Sequence, residues 1–135
     1  MSDAPAYDHL TVLVVDDNNY ARKLAMFALQ NIGFKSIILK EGVDEAVAYL
    51  RELQPPQQVD LIVSDWNMPG KTGLELFKMI SDNQDIPQIP FLMLTGVNGV
   101  ESIQDAFELG IKYYVIKPFT EIKLKEKIDL IFASA

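Results

Sequence analysis

The sequence predicts an α/β protein with a doubly wound, parallel, five-stranded sheet. Five short apolar runs alternate with five longer amphipathic stretches, the order expected of five repeated strand–helix units, (βα)5. The runs are apolar throughout instead of alternating with polar residues, which indicates strands covered by helices on both faces. The connections between them are short, so the stretches belong to one domain.

Each of the five apolar runs has the length and composition of a buried strand. The predicted strands are residues 11–15, 36–39, 60–64, 89–94 and 113–116. Polar residues stand directly after four of these runs. They are Asp16 and Asp17 after the first, Asp65 after the third, Thr95 after the fourth and Lys117 after the fifth.

The stretches between the runs carry apolar residues three or four apart, which predicts helices that pack on the sheet. The first such stripe consists of Tyr20, Leu24, Phe27, Ala28 and Ile32. Gly33 follows it, and glycine favours the end of a helix. The other four stripes begin at Val43, Leu74, Val100 and Leu124.

Composition excludes several classes of function. The chain has 135 residues and a net charge of −7, which opposes binding to nucleic acid phosphates. It contains no cysteine and one histidine, which excludes disulfides, thiolate catalysis and cysteine-held zinc. Neither a signal peptide nor a membrane span is evident, so we expect a soluble cytoplasmic protein. We predict a tail at residues 1–9 and one domain at 10–135.

The polar residues after the strands predict a common site. The carboxyl ends of parallel strands lie at one edge of the sheet, so three carboxylates, a hydroxyl and an ammonium should meet there. Carboxylates this close repel one another unless a cation is present, and a site of few oxygen ligands suits Mg²⁺. These groups fit phosphoryl transfer to a carboxylate.

At these residues the chain resembles the receiver domain of bacterial two-component response regulators, most closely the stand-alone, CheY-like chemotaxis type. The resemblance runs from about residue 10 to residue 132, and it implies the flavodoxin-like strand order 2-1-3-4-5. The segments that carry it are Leu13 to Asn18, Ser64 to Gly70, Gly73 to Glu75, Leu94 to Gly96, and Tyr114 to Phe119.

The resemblance implies a role for each acidic residue of the site. Asp65 would accept the phosphoryl group. Asp16 and Asp17 would hold Mg²⁺ together with Asp65, Asp17 directly and Asp16 largely through water. Asn67 would offer its backbone carbonyl to the same ion.

The resemblance also implies how the signal leaves the site. Lys117 would pair with Asp65 and then with the phosphoryl group, held by a cis peptide before Pro118. Thr95 would turn its hydroxyl towards the phosphoryl group, and Tyr114 would follow from an exposed to a buried rotamer. The face made by the fourth helix, fifth strand and fifth helix would then change.

Partners follow from the same resemblance. A histidine kinase would supply the phosphoryl group, and a downstream protein such as the flagellar motor switch or a phosphorelay partner would read the result. The protein would be no enzyme beyond its own phosphorylation and dephosphorylation, would bind neither nucleic acid nor membrane, and would be mostly a monomer.

Two departures from the family pattern and one surface feature bear on function. Val97 cannot orient an attacking water, so we expect a long phosphoryl lifetime. Lys71 and Thr72 replace an apolar and an acidic residue, although Thr72 can still cap a helix. Lysines at 112, 117, 123, 125 and 127 make the C-terminal region basic, either as a docking face for an acidic helix or as a solvated surface.

Other readings remain open at the level of sequence. An aspartyl-nucleophile phosphatase would need an acid at Asn67, and a flavodoxin-like phosphate binder would not carry Asp16 and Asp17 in its first loop. An interaction domain without the chemistry is a third alternative. The chain is also compatible with a receiver excised from a longer regulator with a DNA-binding or cyclase output, although Met1 and the last predicted helix favour a small intact protein.

Overall fold

Five parallel strands pair in a single sheet. They are β1 (Thr11–Val15), β2 (Ser36–Lys40), β3 (Leu61–Asp65), β4 (Phe91–Thr95) and β5 (Tyr113–Ile116). Their order is β2-β1-β3-β4-β5, as the resemblance implied. In this computed structural model the described residues are 7–68, 70–96 and 100–133, with side chains omitted at 100–103 and 105. Each strand lies within two residues of its predicted bounds.

Five helices connect or follow the strands. They are α1 (Asn19–Ile32), α2 (Val43–Arg51), α3 (Gly73–Asp82), α4 (Val100–Leu109) and α5 (Glu121–Ala133). None of the helices among the described residues is long and apolar enough to cross a membrane. The alternation of strand and helix confirms the predicted doubly wound architecture.

Local signals fix where the helices nearest the strand ends begin and stop. The Asn18 side chain accepts a hydrogen bond of 2.8 Å from the Ala21 amide and so caps α1. Gly33 ends the same helix with a φ of 130°, a conformation that favours glycine. Thr72 caps α3 through a reciprocal pair of hydrogen bonds with Glu75, as predicted.

The core lies in two layers, one on each face of the sheet. Successive side chains of a strand point to opposite faces, so Val12 and Val14 pack with α1 and α5. Leu13 and Val15 pack with α2, α3 and α4 on the other face. Coverage on both faces explains why the strands are apolar throughout.

The predicted packing face of α1 is wrong in part. The side chains of α1 that are buried are Arg22, Ala25 and Leu29. Three members of the predicted stripe are instead 47–73% exposed, namely Tyr20, Leu24 and Phe27. The buried arginine hides this face from the apolar pattern of the sequence, because its guanidinium donates to the Asp16 carbonyl, an acceptor outside the helix.

Tyr7, which the sequence analysis assigned to the tail, lies in the core with 2% exposure. Its ring stacks on Phe34 at 4.9 Å and is tilted against Phe132 at 5.5 Å. The hydroxyl donates a hydrogen bond to the Asp129 carboxylate, which also accepts from Lys125 at 2.8 Å. Part of the predicted tail therefore anchors to α5.

Candidate functional site

The polar residues predicted for the site lie together at one edge of the sheet. Asp16 directly follows β1, Asp65 and Thr95 end β3 and β4, and Lys117 follows β5. All four strands are parallel, so these positions share the carboxyl edge. At this edge Asp65 pairs with Leu94, and Thr95 pairs with Ile116, so the ends of these neighbouring strands lie side by side.

Three carboxylates converge at this edge. One oxygen from each of Asp16, Asp17 and Asp65 lies within 4.8 Å of the other two. Asp16 is buried at 1% exposure, Asp65 is half-buried and Asp17 is exposed, so the cluster opens to solvent on one side. Asp16 is further fixed by the Asn18 amide, which donates to its Oδ1 at 2.9 Å.

The ammonium of Lys117 joins two of these carboxylates. Its Nζ lies 2.9 Å from Asp65 Oδ1 and 3.4 Å from Asp16 Oδ2. Burial alone would lower the pKa of Lys117, but the Asp65 and Asp16 carboxylates raise it above 10.5. Lys117 is therefore charged at any physiological pH.

Without a further cation, the negative charge of Asp65 is disfavoured at its position. Burial raises the pKa of its carboxyl above 3.8, and the Asp16 carboxylate adds to the rise, whereas Lys117 opposes it. The net direction of the pKa shift is upward because burial is the largest of these effects. A cation bound at this edge would relieve that excess negative charge.

The cluster is an acidic pocket that can bind a metal ion. Carboxylate oxygens are hard ligands, which suit hard cations such as Mg²⁺, and an exposed side leaves room for water ligands. Asn67 lies exposed in the loop two residues after Asp65. Its assignment as a ligand through the backbone carbonyl stays a prediction.

Backbone hydrogen bonds beyond the strand ends hold the loops around the pocket. The Lys117 amide donates to the Thr95 carbonyl at 2.6 Å, so these two residues extend the pairing of β4 and β5. The Trp66 amide donates to the Leu94 carbonyl at 2.8 Å. Thr95 itself is 3% exposed. Val97, predicted to set the phosphoryl lifetime, lies outside the described residues.

Comparison with known proteins identifies the family. The profile of the response regulator receiver domain matches residues 12–129. The chain belongs to this family. Chemotaxis protein CheY-3 of Vibrio cholerae is 35% identical over 92% of each chain, and chemotaxis protein CheY of Pseudomonas aeruginosa is 33% identical over 91% of this chain and 96% of its own.

Solved structures agree with the fold of this receiver domain. The chemotaxis response regulator CheY4 of Vibrio cholerae superposes with a TM-score of 0.77 at 29% identity, over 90% of this chain and 98% of that one. The flavodoxin-like strand order and the family that the sequence predicted are both confirmed.

Tyr114 of the receiver domain is half-buried on β5, away from the carboxylates. Its ring meets Phe107 of α4 edge-on, with centroids 6.4 Å apart. The ammonium of Lys127, on α5, lies 5.6 Å from the same ring. Tyr114 thus contacts both helices of the face for which the sequence predicted a switch, and its movement there stays a prediction.

The lysines of the predicted basic cluster differ in their surroundings. Lys117 faces the carboxylates, and Lys125 is paired with Asp129 on its own helix. Lys117, Lys123 and Lys127 also line a groove beside Tyr114. The cluster is therefore divided between the acidic site, an ion pair within α5 and this groove.

Arg22 belongs to the site and was not identified from the sequence. Its guanidinium is buried under the acidic loop and donates to the Asp16 carbonyl at 2.7 Å. It also donates to the Asn19 side chain at 2.6 Å and lies 3.7 Å from Glu41 Oε1. The apolar periodicity of α1 gave no signal for it, because the buried face that contains Arg22 is not the face that the periodicity predicts.

Proposed function

We propose that this chain is a single-domain response regulator that accepts a phosphoryl group on Asp65 from a histidine kinase in a Mg²⁺-dependent reaction. The observation that supports this most directly is the Asp65 carboxylate, half-buried at the end of β3 beside Lys117 and two further carboxylates. A nucleophile, a cation and a metal-binding pocket stand together there.

The transfer requires the groups at this edge, the Mg²⁺ that they would hold and the phosphoryl donor. A carboxylate oxygen of Asp65 attacks the phosphorus of a phosphohistidine, the new O–P bond forms, and the N–P bond breaks. The departing imidazole nitrogen keeps the electron pair. Lys117, 2.9 Å from Asp65, offers positive charge to the phosphoryl oxygens. Mg²⁺ held by Asp16, Asp17 and Asp65 would supply the remaining charge compensation.

The chemistry proposed is limited to the protein itself. The receiver catalyses its own phosphorylation and dephosphorylation and turns over no separate substrate. An aspartyl-nucleophile phosphatase would need a general acid two residues after Asp65, where Asn67 stands. Hydrolysis of a general phosphate monoester would favour that alternative.

The output would pass through the face of α4, β5 and α5. Phosphorylation adds oxygens at the end of β4, where Thr95 can donate its hydroxyl. Thr95 is joined through its carbonyl to Lys117, one residue past β5, and Tyr114 lies on that strand against α4 and α5. A shift of Thr95 would therefore reach a surface that a partner can read.

The partners proposed are a histidine kinase and a downstream protein of chemotaxis or a phosphorelay. The curated relatives cited are named as chemotaxis proteins, which supports control of a flagellar motor. We place this activity in the cytoplasm, with a mostly monomeric protein that binds neither nucleic acid nor membrane. The net charge of −7 is consistent with the absence of nucleic acid binding.

The experiment that tests the proposal combines intact mass with Trp66 fluorescence. Native protein, Asp65→Asn and Asp85→Asn are incubated with acetyl phosphate, with Mg²⁺ or with chelator. Asp85 is exposed and remote from the site, so it controls for the loss of one negative charge. Trp66 is half-buried next to Asp65 and should report binding there.

The expected result is a Mg²⁺-dependent mass gain of one phosphoryl group in native protein and Asp85→Asn, absent in Asp65→Asn. No mass gain in native protein, with no fluorescence response to Mg²⁺, would contradict the proposal and favour an interaction domain without the chemistry. Transfer from a kinase is then tested with a phosphorylated histidine kinase as donor.

A further inference from the structure

We infer that Arg22 is a positioning residue for metal binding: its guanidinium holds the Asp16–Asp17 loop in the arrangement that accepts the cation. The inference rests on the proposed Mg²⁺ site. Arg22 contacts none of the carboxylate oxygens assigned to the metal among its described hydrogen bonds, so its effect passes through the backbone of Asp16.

The burial of Arg22 is the first observation. The residue is 8% exposed, in a helix whose other buried side chains are Ala25 and Leu29. A charged side chain is rarely buried to this extent unless it is paired. The guanidinium donates two hydrogen bonds, and no buried side-chain polar atom lacks a partner in the described part of the chain.

The second observation is where those partners stand. The Asp16 carbonyl belongs to the peptide that joins Asp16 to Asp17, and Arg22 donates to it at 2.7 Å. Asn19 begins α1 and accepts from the other guanidinium nitrogen at 2.6 Å. One planar group therefore fixes both the peptide between two predicted ligands and the first turn of the helix after them.

The third observation is that the amide and the carboxylate of Asp16 are held by contacts that do not involve Arg22. The Asp16 amide donates to the Lys40 carbonyl at 3.1 Å, and Asp16 Oδ1 accepts from the Asn18 amide. The Asp16 carbonyl is held by Arg22 alone among the bonds described for it. Without the arginine this carbonyl would lose its anchor, and the side chain of Asp17 would lose a fixed direction.

The charge of Arg22 and its proposed positioning role predict opposite effects on Mg²⁺ affinity when the residue is replaced, so a measurement can distinguish them. A positive group near the carboxylates should by itself repel a metal ion, so its removal would tighten Mg²⁺ binding. A positioning role predicts weaker binding instead. Groups that orient metal ligands typically change metal affinity about tenfold or more when they are removed.

The experiment measures Mg²⁺ dissociation constants from Trp66 fluorescence for native protein, Arg22→Met, Arg22→Lys and Lys23→Met. Arg22→Lys keeps the charge but cannot reach both acceptors as a planar fork. Lys23 neighbours Arg22 on α1 and is exposed, so Lys23→Met removes the same charge without touching the loop. Circular dichroism in chelator shows that each variant is folded.

A positioning role requires Arg22→Met and Arg22→Lys to bind Mg²⁺ about tenfold more weakly, with Lys23→Met within about twofold of native protein. Binding by Arg22→Met as tight as in native protein, or tighter, would overturn the inference and leave the proposed function intact. No Mg²⁺ response in native protein would refute the proposed site and the inference together.

A second variant serves if the Arg22 substitutions prevent folding. Asn19→Ala removes one acceptor of the guanidinium at an exposed position and leaves Asp16, Asp17 and Arg22 in place. The inference predicts weaker Mg²⁺ binding in this variant, in the same direction as for Arg22. Unchanged affinity in a folded Asn19→Ala protein would count against it.

Discussion

Gly73, the first residue of α3, lies against the backbone carbonyl of Asp65: a Cβ atom at Gly73 would stand 2.3 Å from that oxygen. The same atom would lie 2.9 Å from Met93 Sδ, so the added carbon would clash with two neighbours. The close approach is secured by the Gly73 amide, which donates to the Trp66 carbonyl at 2.8 Å. The absence of a side chain at Gly73 thus allows α3 to begin directly against the backbone of the proposed phosphoacceptor.

Gly73→Ala is expected to destabilise the fold by about 1–3 kcal/mol, the usual cost of forcing an extra carbon into a packed site. The displaced Asp65 should also accept phosphoryl groups more slowly. Urea unfolding and the mass assay measure the two effects. Gly96→Ala is the control, because no described atom lies within 4 Å of its Cβ position. Equal stability of the two variants would contradict the packing argument.

Asp65→Asn should stabilise the protein in the absence of metal. The pKa of Asp65 is raised above 3.8, so the folded state binds more protons than the unfolded state in the interval between the two values. Native stability therefore falls as pH rises through that interval, and the amide removes this loss. Denaturant unfolding in chelator at pH 7 measures the difference, and a less stable Asp65→Asn would refute the assigned direction.

Lys117→Met is expected to lower the free energy of unfolding by about 1–3 kcal/mol, because the Asp16 and Asp65 carboxylates lose their shared ammonium. Mg²⁺ should recover part of this loss by supplying positive charge at the same edge. Unfolding curves with Mg²⁺ and with chelator test both statements. Lys112→Met changes an exposed lysine and serves as control. A deficit that Mg²⁺ leaves unaltered would exclude a shared site.

The native protein should lose stability as the pH rises above 10, and Tyr7→Phe should abolish this loss. Burial and the Asp129 carboxylate raise the pKa of Tyr7 above its ordinary value of 10.0. The folded state therefore retains a proton that the unfolded state releases, and stability falls as pH rises beyond 10. Below that pH, Tyr7→Phe loses one hydrogen bond, about 1 kcal/mol. Parallel pH profiles for both proteins would argue against the assignment.

Much of the fold and site could be predicted because strand ends leave a clear signal. An apolar run that stops at Asp65 or at Lys117 marks both the strand and the polar group it presents. Parallel pairing then brings these ends together without knowledge of any side-chain contact. The acidic cluster follows from the same rule.

Arg22, Tyr7 and the exposed face of α1 could not be predicted in this way. Arg22 donates to the Asp16 carbonyl, which directly follows β1 and precedes α1, and no spacing within the helix encodes that contact. Tyr7 precedes every regular element and is held by rings 27 and 125 positions away, at Phe34 and Phe132. Such long-range contacts lie beyond local periodicity.

The rings of Tyr7 and Phe132, with centroids 5.5 Å apart, join residues near the two ends of the described chain, at the sheet edge opposite the carboxylates. Chains whose ends meet tolerate being rejoined there and opened elsewhere. A reporter domain inserted at that junction would therefore sit far from Asp65. The receiver could therefore be made into a sensor in which the reporter domain does not obstruct the approach of phosphoryl donors.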